Sequence, residues 1–140
     1  MKNILFFLIP KANCSYLFSD FTIRQALEKM EHTGYATIPI LDRSGKYVGT
    51  LREGDLLWAV KNLCNMDLRE TEEHGIMEIE RHRNTRAVSV TTNIDDLINT
   101  ALDQNFVPVV DDSGSFIGII TRRAIMKYFL DKYNESNAAE

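Results

Sequence analysis

Residues 35–60 of this chain, YATIPILDRSGKYVGTLREGDLLWAV, recur sixty-nine positions later as residues 104–129, QNFVPVVDDSGSFIGIITRRAIMKYF. Pro39/Pro108, Asp42/Asp111, Ser44/Ser113, Gly45/Gly114 and Gly49/Gly118 coincide without a gap. The apolar positions between them match in kind: Ile38/Val107, Ile40/Val109, Leu41/Val110, Tyr47/Phe116, Val48/Ile117 and Leu56/Ile125. A self-similarity of that length means that the chain builds one unit twice, with function expected between the copies.

Each copy has the same order of signals. In the first, Ile23, Ala26, Leu27 and Met30 form one apolar helical stripe, with Asp20 or Thr22 to cap its start and Gly34 to end it. Ala36–Leu41 is a nearly unbroken apolar strand, Asp42–Gly45 is turn chemistry, Tyr47–Leu51 returns antiparallel, and a helix follows from about Glu53 to Asn65. In the second, Ala87–Val90 is extended, Asn93 caps a helix carrying Ile94, Leu97, Ile98, Ala101 and Leu102, and Asn105 ends it. Phe106–Val110 and Phe116–Ile120 flank the turn at 111–114, and Thr121 caps a last helix through about Tyr133. Each unit is therefore strand–helix–strand–strand–helix. Its sheet has one face left to bury, so an α+β body of two units packed sheet to sheet is expected. The division runs 1–70 for the first repeat with an N-terminal strand (Ile4–Leu8) and connector, 71–135 for the second, and 136–140 for a frayed polar tail.

Composition removes several classes of function. A net charge of −4 supplies no global basic field, so neither nucleic acid nor a membrane surface is an expected partner. Cys14 and Cys64 lie far apart with no C-x-x-C spacing, which fits two free thiols in a reducing compartment. The opening apolar run, Ile4–Ile9, is shorter than a signal-peptide h-region, and Lys11 follows Pro10 where a small-residue cleavage site would be needed. A cytoplasmic location is the expectation. His32, His74 and His82 show no ligand spacing, neither cysteine has a local base, and Glu70, Glu72 and Glu73 read as a solvated acidic run. Arg81, His82, Arg83 and Arg86 form a basic stretch, either phosphate-touching or a polar strand face. No catalysis, metal or obligatory cofactor is expected.

The order of helix, Gly or Asn, apolar-apolar-Pro-apolar-apolar-Asp, turn Gly, aromatic-apolar-Gly and helix resembles the cystathionine-β-synthase-type (CBS) domain, and two in tandem resemble the Bateman module. That resemblance implies a regulatory sensor, often a homodimer, that binds adenosine-containing nucleotides in clefts between its repeats and acts through another protein, here an unknown effector. Family ligand contacts come from the segment before the Pro and from an S/T-x-x-D element after the second sheet strand. Both elements are incomplete here. The first copy reads Arg52-Glu53-Gly54-Asp55, keeping the acid; the second reads Thr121-Arg122-Arg123-Ala124, keeping the hydroxyl. One asymmetric site or none is therefore expected.

The candidate ligand-binding residues implied are Asn13, Ser15, Ala36, Thr37, Ile38, Asp55, Thr121, Arg122 and Arg123. Backbone groups of 36–38 would read an adenine edge with Ile38 against the ring, and the arginine pair would hold phosphate bidentately. Gly34–Pro39 with Thr121-Arg122-Arg123 further resembles small stand-alone CBS proteins of Gram-positive bacteria that bind cyclic di-AMP. Each residue also has a plain structural reading: buried strand for 36–38, first-turn acid for Asp55, N-cap for Thr121 and solvated charge for the arginines. A ligand-free dimerisation or protein-interaction module with degenerate nucleotide sites remains the alternative.

Overall fold

The computed structural model describes residues 3–81 and 85–138. They form two compact units, one of Ser15–Thr85 and one joining the segment up to Cys14 to residues from Arg86 onward.

In chain order the strands and α-helices are β1 (Ile9–Pro10), β2 (Leu17–Phe18), α1 (Ile23–Thr33), β3 (Thr37–Leu41), β4 (Tyr47–Arg52), α2 (Glu53–Asn62), β5 (Val88–Ser89), α3 (Ile94–Ala101), β6 (Phe106–Val110), β7 (Phe116–Thr121) and α4 (Arg122–Ala138). The unit of Ser15–Thr85 holds a three-stranded sheet, β2-β3-β4, with β2 parallel and β4 antiparallel to β3. Helix α1 starts on a capping box in which Thr22 accepts from Gln25 N–H and Gln25 answers to Thr22 N–H, and it closes on Gly34 in the left-handed conformation. Leu17, Ile23, Ala26, Ile38, Ile40, Leu51 and Leu56 make its core. The connector folds back on the start of α1 through hydrogen bonds from Ile23 N–H to His74 C=O and from Ile76 N–H to Phe21 C=O, both 2.9 Å.

The other unit repeats the order and adds a strand. Its sheet runs β1-β7-β6-β5, with β5 parallel to β6 and β1 an antiparallel edge on β7. Ile4, Phe7, Leu97, Ala101, Val107, Val109, Ile120 and Ile125 form its core. The opening apolar run was expected to be a strand over Ile4–Leu8. Instead, Asn3 Oδ1 accepts from Leu5 N–H and sets a 3-10 turn over Ile4–Phe7, and only Ile9–Pro10 joins the sheet. Helix α4 also continues to Ala138, past the expected end near Tyr133.

The repeated Asp is explained by its turn. Asp42 Oδ1 accepts from Ser44 N–H (2.9 Å), Lys46 N–H (2.9 Å) and Ser44 Oγ (2.7 Å), and Asp111 Oδ1 accepts from Ser113 and Ser115 N–H, both 2.9 Å. Gly45 (φ 90°) and Gly114 (φ 81°) supply the left-handed residue that each turn needs. The Ser44 hydroxyl, then the Lys46 N–H, hold the Asp42 carboxyl below its usual range. Beside this turn, Arg43 makes a fork on Asp20 (2.8 and 2.9 Å) while its guanidinium lies 3.9 Å from the Phe18 ring centroid.

The second repeated glycine pair meets different neighbours. A Cβ at Gly118 would run into the Ile9 carbonyl oxygen and come within 2.9 Å of Leu8 Cδ1, whereas the nearest atoms to a Cβ at Gly49 belong to the Arg81 guanidinium, with Nη1 at 2.8 Å. Gly118→Ala is therefore expected to lose about 1–3 kcal/mol or more by forcing β1 off β7, because backbone cannot yield as a side chain can. Gly49→Ala should lose clearly less, with urea unfolding as the comparison. A pH effect follows from Asp20, whose carboxyl is lowered mainly by the hydrogen bond from Arg43. A carboxyl with a lowered folded pKa stabilises above its unfolded value of about 3.9 and loses that contribution as pH falls toward the folded value. Melting temperature should therefore drop less between pH 5 and 2 in Asp20→Asn than in the unsubstituted chain, since the variant has no such contribution to lose.

Candidate functional site

In the unit of Ser15–Thr85 four of the expected residues converge at one corner of the sheet. Glu53 N–H donates to Ala36 C=O at 2.9 Å, so Thr37 and Arg52 form a non-hydrogen-bonded antiparallel pair. The N–H and C=O of Thr37 consequently turn away from β4, toward the side where β2 lies. Carrying the β2–β3 register back from Leu17↔Ile40 brings Ser15 alongside Thr37 and Ile38. Ala36 is exposed, Thr37 and Ser15 are half-buried, and these backbone groups are the ones a ligand edge could reach.

Asp55 sits directly behind this corner. It is 9% exposed, and its Oδ2 accepts from Arg52 N–H at 2.9 Å, so the acid caps the start of α2. Its remaining carboxylate oxygen is the part able to meet a ligand hydroxyl. The Arg52 side chain has its Nε buried with no hydrogen-bond partner among the described residues. An orphaned buried donor of this kind costs roughly 1–3 kcal/mol.

Two expectations on side chains change. Ile38 is fully buried in the core of its unit, so it offers a ligand its backbone and not its side chain. Arg122 is engaged within the other unit: its Nε donates to Ala101 C=O at 2.8 Å and its Nη2 to Leu102 C=O at 3.3 Å, closing the C-terminal end of α3. A guanidinium committed to two carbonyls is not a bidentate phosphate clamp.

That leaves Arg123 as the anion-binding candidate at the start of α4. It is exposed and makes no hydrogen bond or ion pair among the described residues. Thr121 Oγ1 accepts from Ala124 N–H at 3.0 Å, the N-cap geometry, and keeps a hydroxyl proton to donate. Asn13 is exposed at the end of a 3-10 turn, Lys11–Asn13, that packs on β7. Of the basic stretch, Arg81 lies against Gly49, while His82 and Arg83 lie outside the described residues.

Tyr35 is a further candidate that sequence reasoning passed over. Its ring is 50% exposed immediately before Ala36, where a planar base could lie on it. The repeat sets Tyr35 against Gln104, two residues of unlike chemistry just ahead of the strand. Among the described residues no group of three or more His, Cys, Asp or Glu could hold a metal, and no helix is long and apolar enough to cross a membrane. Burial pushes the Cys14 thiol up, the opposite of an activated nucleophile.

The CBS domain family matches the chain twice, over residues 9–62 and 77–131. An uncharacterized protein of Methanocaldococcus jannaschii is 26% identical over 130 residues, covering 85% of this chain; the chain spans only 46% of that relative's length. Among solved structures, CbpB in complex with c-di-AMP superimposes with a TM-score of 0.87 at 18% identity, covering 99% of this chain and 91% of that one. CBSX2 in complex with AMP does so with a TM-score of 0.74 at 23% identity, covering 95% and 99%. At these identities the two structural likenesses are ones of fold. The family match falls on both copies of the strand–helix–strand–strand–helix unit, and the chain belongs to the CBS-domain family as a tandem pair, a Bateman module.

Proposed function

We propose that this chain is a regulatory module that binds an adenosine-containing nucleotide, among AMP, ADP, ATP and cyclic di-AMP, and signals its occupancy to a partner protein. The observation that carries this reading is the corner at Ser15, Tyr35, Ala36 and Thr37, where backbone donors and acceptors face away from β4 beside an exposed ring. Within the unit of Ser15–Thr85 Asp55 would take ribose hydroxyls, and in the other unit Thr121 with Arg123 is a candidate phosphate-binding pair. The binding of c-di-AMP by CbpB and of AMP by CBSX2 is consistent with the ligand class. A site of this kind holds no nucleophile and no metal; its output is a shift between states that bind the nucleotide unequally.

The module acts as a homodimer in this reading, within a reducing, cytoplasmic setting that suits two free cysteines. Support comes from α4, where Met126, Phe129, Leu130 and Tyr133 form an exposed apolar stripe at helical spacing, 45–64% exposed. The unit of Ser15–Thr85 contributes an apolar groove of about 820 Å³ between α1 and α2, lined by Leu27, Met30, Leu56, Leu57 and Val60.

One observation favours the second reading, a ligand-free dimerisation module: both S/T-x-x-D elements are incomplete, and Arg122 is spent on α3. Melting with AMP, ADP, ATP and cyclic di-AMP separates the two. A nucleotide at 100 times its Kd adds about 2.7 kcal/mol, an upward shift of several degrees; flat melts with all four select the ligand-free module. Arg123→Ala should keep the unliganded melting temperature and lose most of the shift. Arg122→Ala should instead lower the unliganded temperature, by about 1–2 kcal/mol of stability, because two α3 carbonyls lose their donors. Light scattering should report a dimer that Leu130→Glu converts to monomer without unfolding; a monomeric unsubstituted chain overturns the dimer.

A further inference from the structure

The two units treat the same step of their parallel strand pairs differently. In β5–β6 the register is Val88↔Val109 and Ser89↔Val110, and Val90 N–H donates to Val110 C=O at 3.0 Å. Carried back along the strands, this pattern brings Arg86 N–H opposite Phe106 C=O. The two do not bond directly. The side-chain amide of Gln104 stands between them: its Oε1 accepts from Arg86 N–H at 2.7 Å, and its Nε2 donates to Arg86 C=O at 3.0 Å and to Phe106 C=O at 3.1 Å. Gln104 is 6% exposed, and both ends of its amide are satisfied.

The corresponding step of β2–β3 lies within the unit of Ser15–Thr85. The register is Leu17↔Ile40 and Phe18↔Leu41, with Ser19 N–H donating to Leu41 C=O at 2.8 Å. Carried back, it sets Ser15 N–H opposite Thr37 C=O. No hydrogen bond among the described residues closes that step. The residue at the repeat position of Gln104 is Tyr35, whose ring turns outward at 50% exposure and has no amide to offer.

A primary amide presents an acceptor and an N–H donor two bonds apart. The N1 and N6 of adenine present the same pair on one ring edge, so the amide of Gln104 is the chemical equivalent of a bound base edge. We propose that Gln104 is a built-in occupant of the base-reading step in the second repeat, and that the chain therefore carries a single base site, at Ser15 and Thr37 of the first repeat. This rests on the reading of the chain as a nucleotide-binding module and assigns its stoichiometry and its asymmetry. It also gives Tyr35 a role: by not being glutamine, it leaves the step open, and its ring borders the base.

Calorimetric titration of the full chain with AMP, and separately with cyclic di-AMP, tests the assignment. One adenine-reading site per chain is expected with AMP. Tyr35→Gln moves the plug into the first repeat and should weaken AMP binding at least tenfold relative to Tyr35→Ala, which removes the ring without adding an amide. Gln104→Ala should raise the AMP stoichiometry from one per chain toward two. If Gln104→Ala does not fold, the Tyr35 pair decides the matter on its own. Two AMP bound per unsubstituted chain, or Tyr35→Gln binding as tightly as Tyr35→Ala, overturns the assignment while leaving nucleotide binding intact. No binding of AMP or cyclic di-AMP overturns this assignment, and flat melts with ADP and ATP as well overturn the nucleotide-module reading with it.

Discussion

One backbone hydrogen bond, made twice, sets up the rest of this molecule. Glu53 N–H donates to Ala36 C=O in one unit and Arg122 N–H donates to Asn105 C=O in the other, both at 2.9 Å. Each joins the first residue of a helix to the residue just before a sheet strand. Because antiparallel pairing alternates, the next residue along (Thr37 or Phe106) must aim its polar groups away from its antiparallel partner. Polar backbone groups facing a sheet interior need partners. Phe106 finds one in Gln104, and Thr37 finds none among the described residues. The candidate site is thus a by-product of strand pairing, and its difference between repeats comes from one side chain placed two residues earlier.

The same logic of like frame and unlike filling runs through both units. Asp42 and Asp111 build nearly identical turns, each carboxylate gathering backbone N–H groups two and four residues on. Gly49 and Gly118 also occupy one place in the repeat, yet a strand lies against Gly118 and a guanidinium against Gly49. In one unit the sheet edge is closed by β1; in the other, Arg81 comes to the equivalent glycine with its Nη1 buried and without a hydrogen-bond partner among the described residues. Polar cover of that kind satisfies packing at the expense of an unsatisfied donor, while a strand satisfies both.

Much of this was legible in the residues. The repeat, the apolar stripes of α1 and α3, the caps at Thr22, Asn93 and Thr121, and the Asp-x-Ser-Gly turns all follow from local chemistry, which acts over a few residues and leaves a pattern in sequence order. In the opening run apolar character alone does not separate a strand from a 3-10 turn, and the deciding contact is a single cap from Asn3. The engagement of Arg122 is hidden from the sequence for a different reason. An arginine beside a helix start suits an anion, but its reach to Ala101 and Leu102 depends on how α3 ends, twenty residues away in the chain. Ile38 shows the limit on strands: an alternating pattern would have told which face it uses, and its run is apolar throughout.

The chain's path carries a consequence for how such a protein can be divided. Its first fourteen residues belong to the unit that begins again at Arg86, so the polypeptide leaves one body, builds the other whole, and returns. The unit of Ser15–Thr85 is therefore an insertion in topological terms, and a cut in the connector would not release two self-sufficient halves. The downstream fragment would lack the β1 strand on Gly118 and the Ile4 and Phe7 side chains of its core. During synthesis the early segment must wait for its partners until the last strand has been made, so one half of this duplicated protein is complete only when the whole chain is.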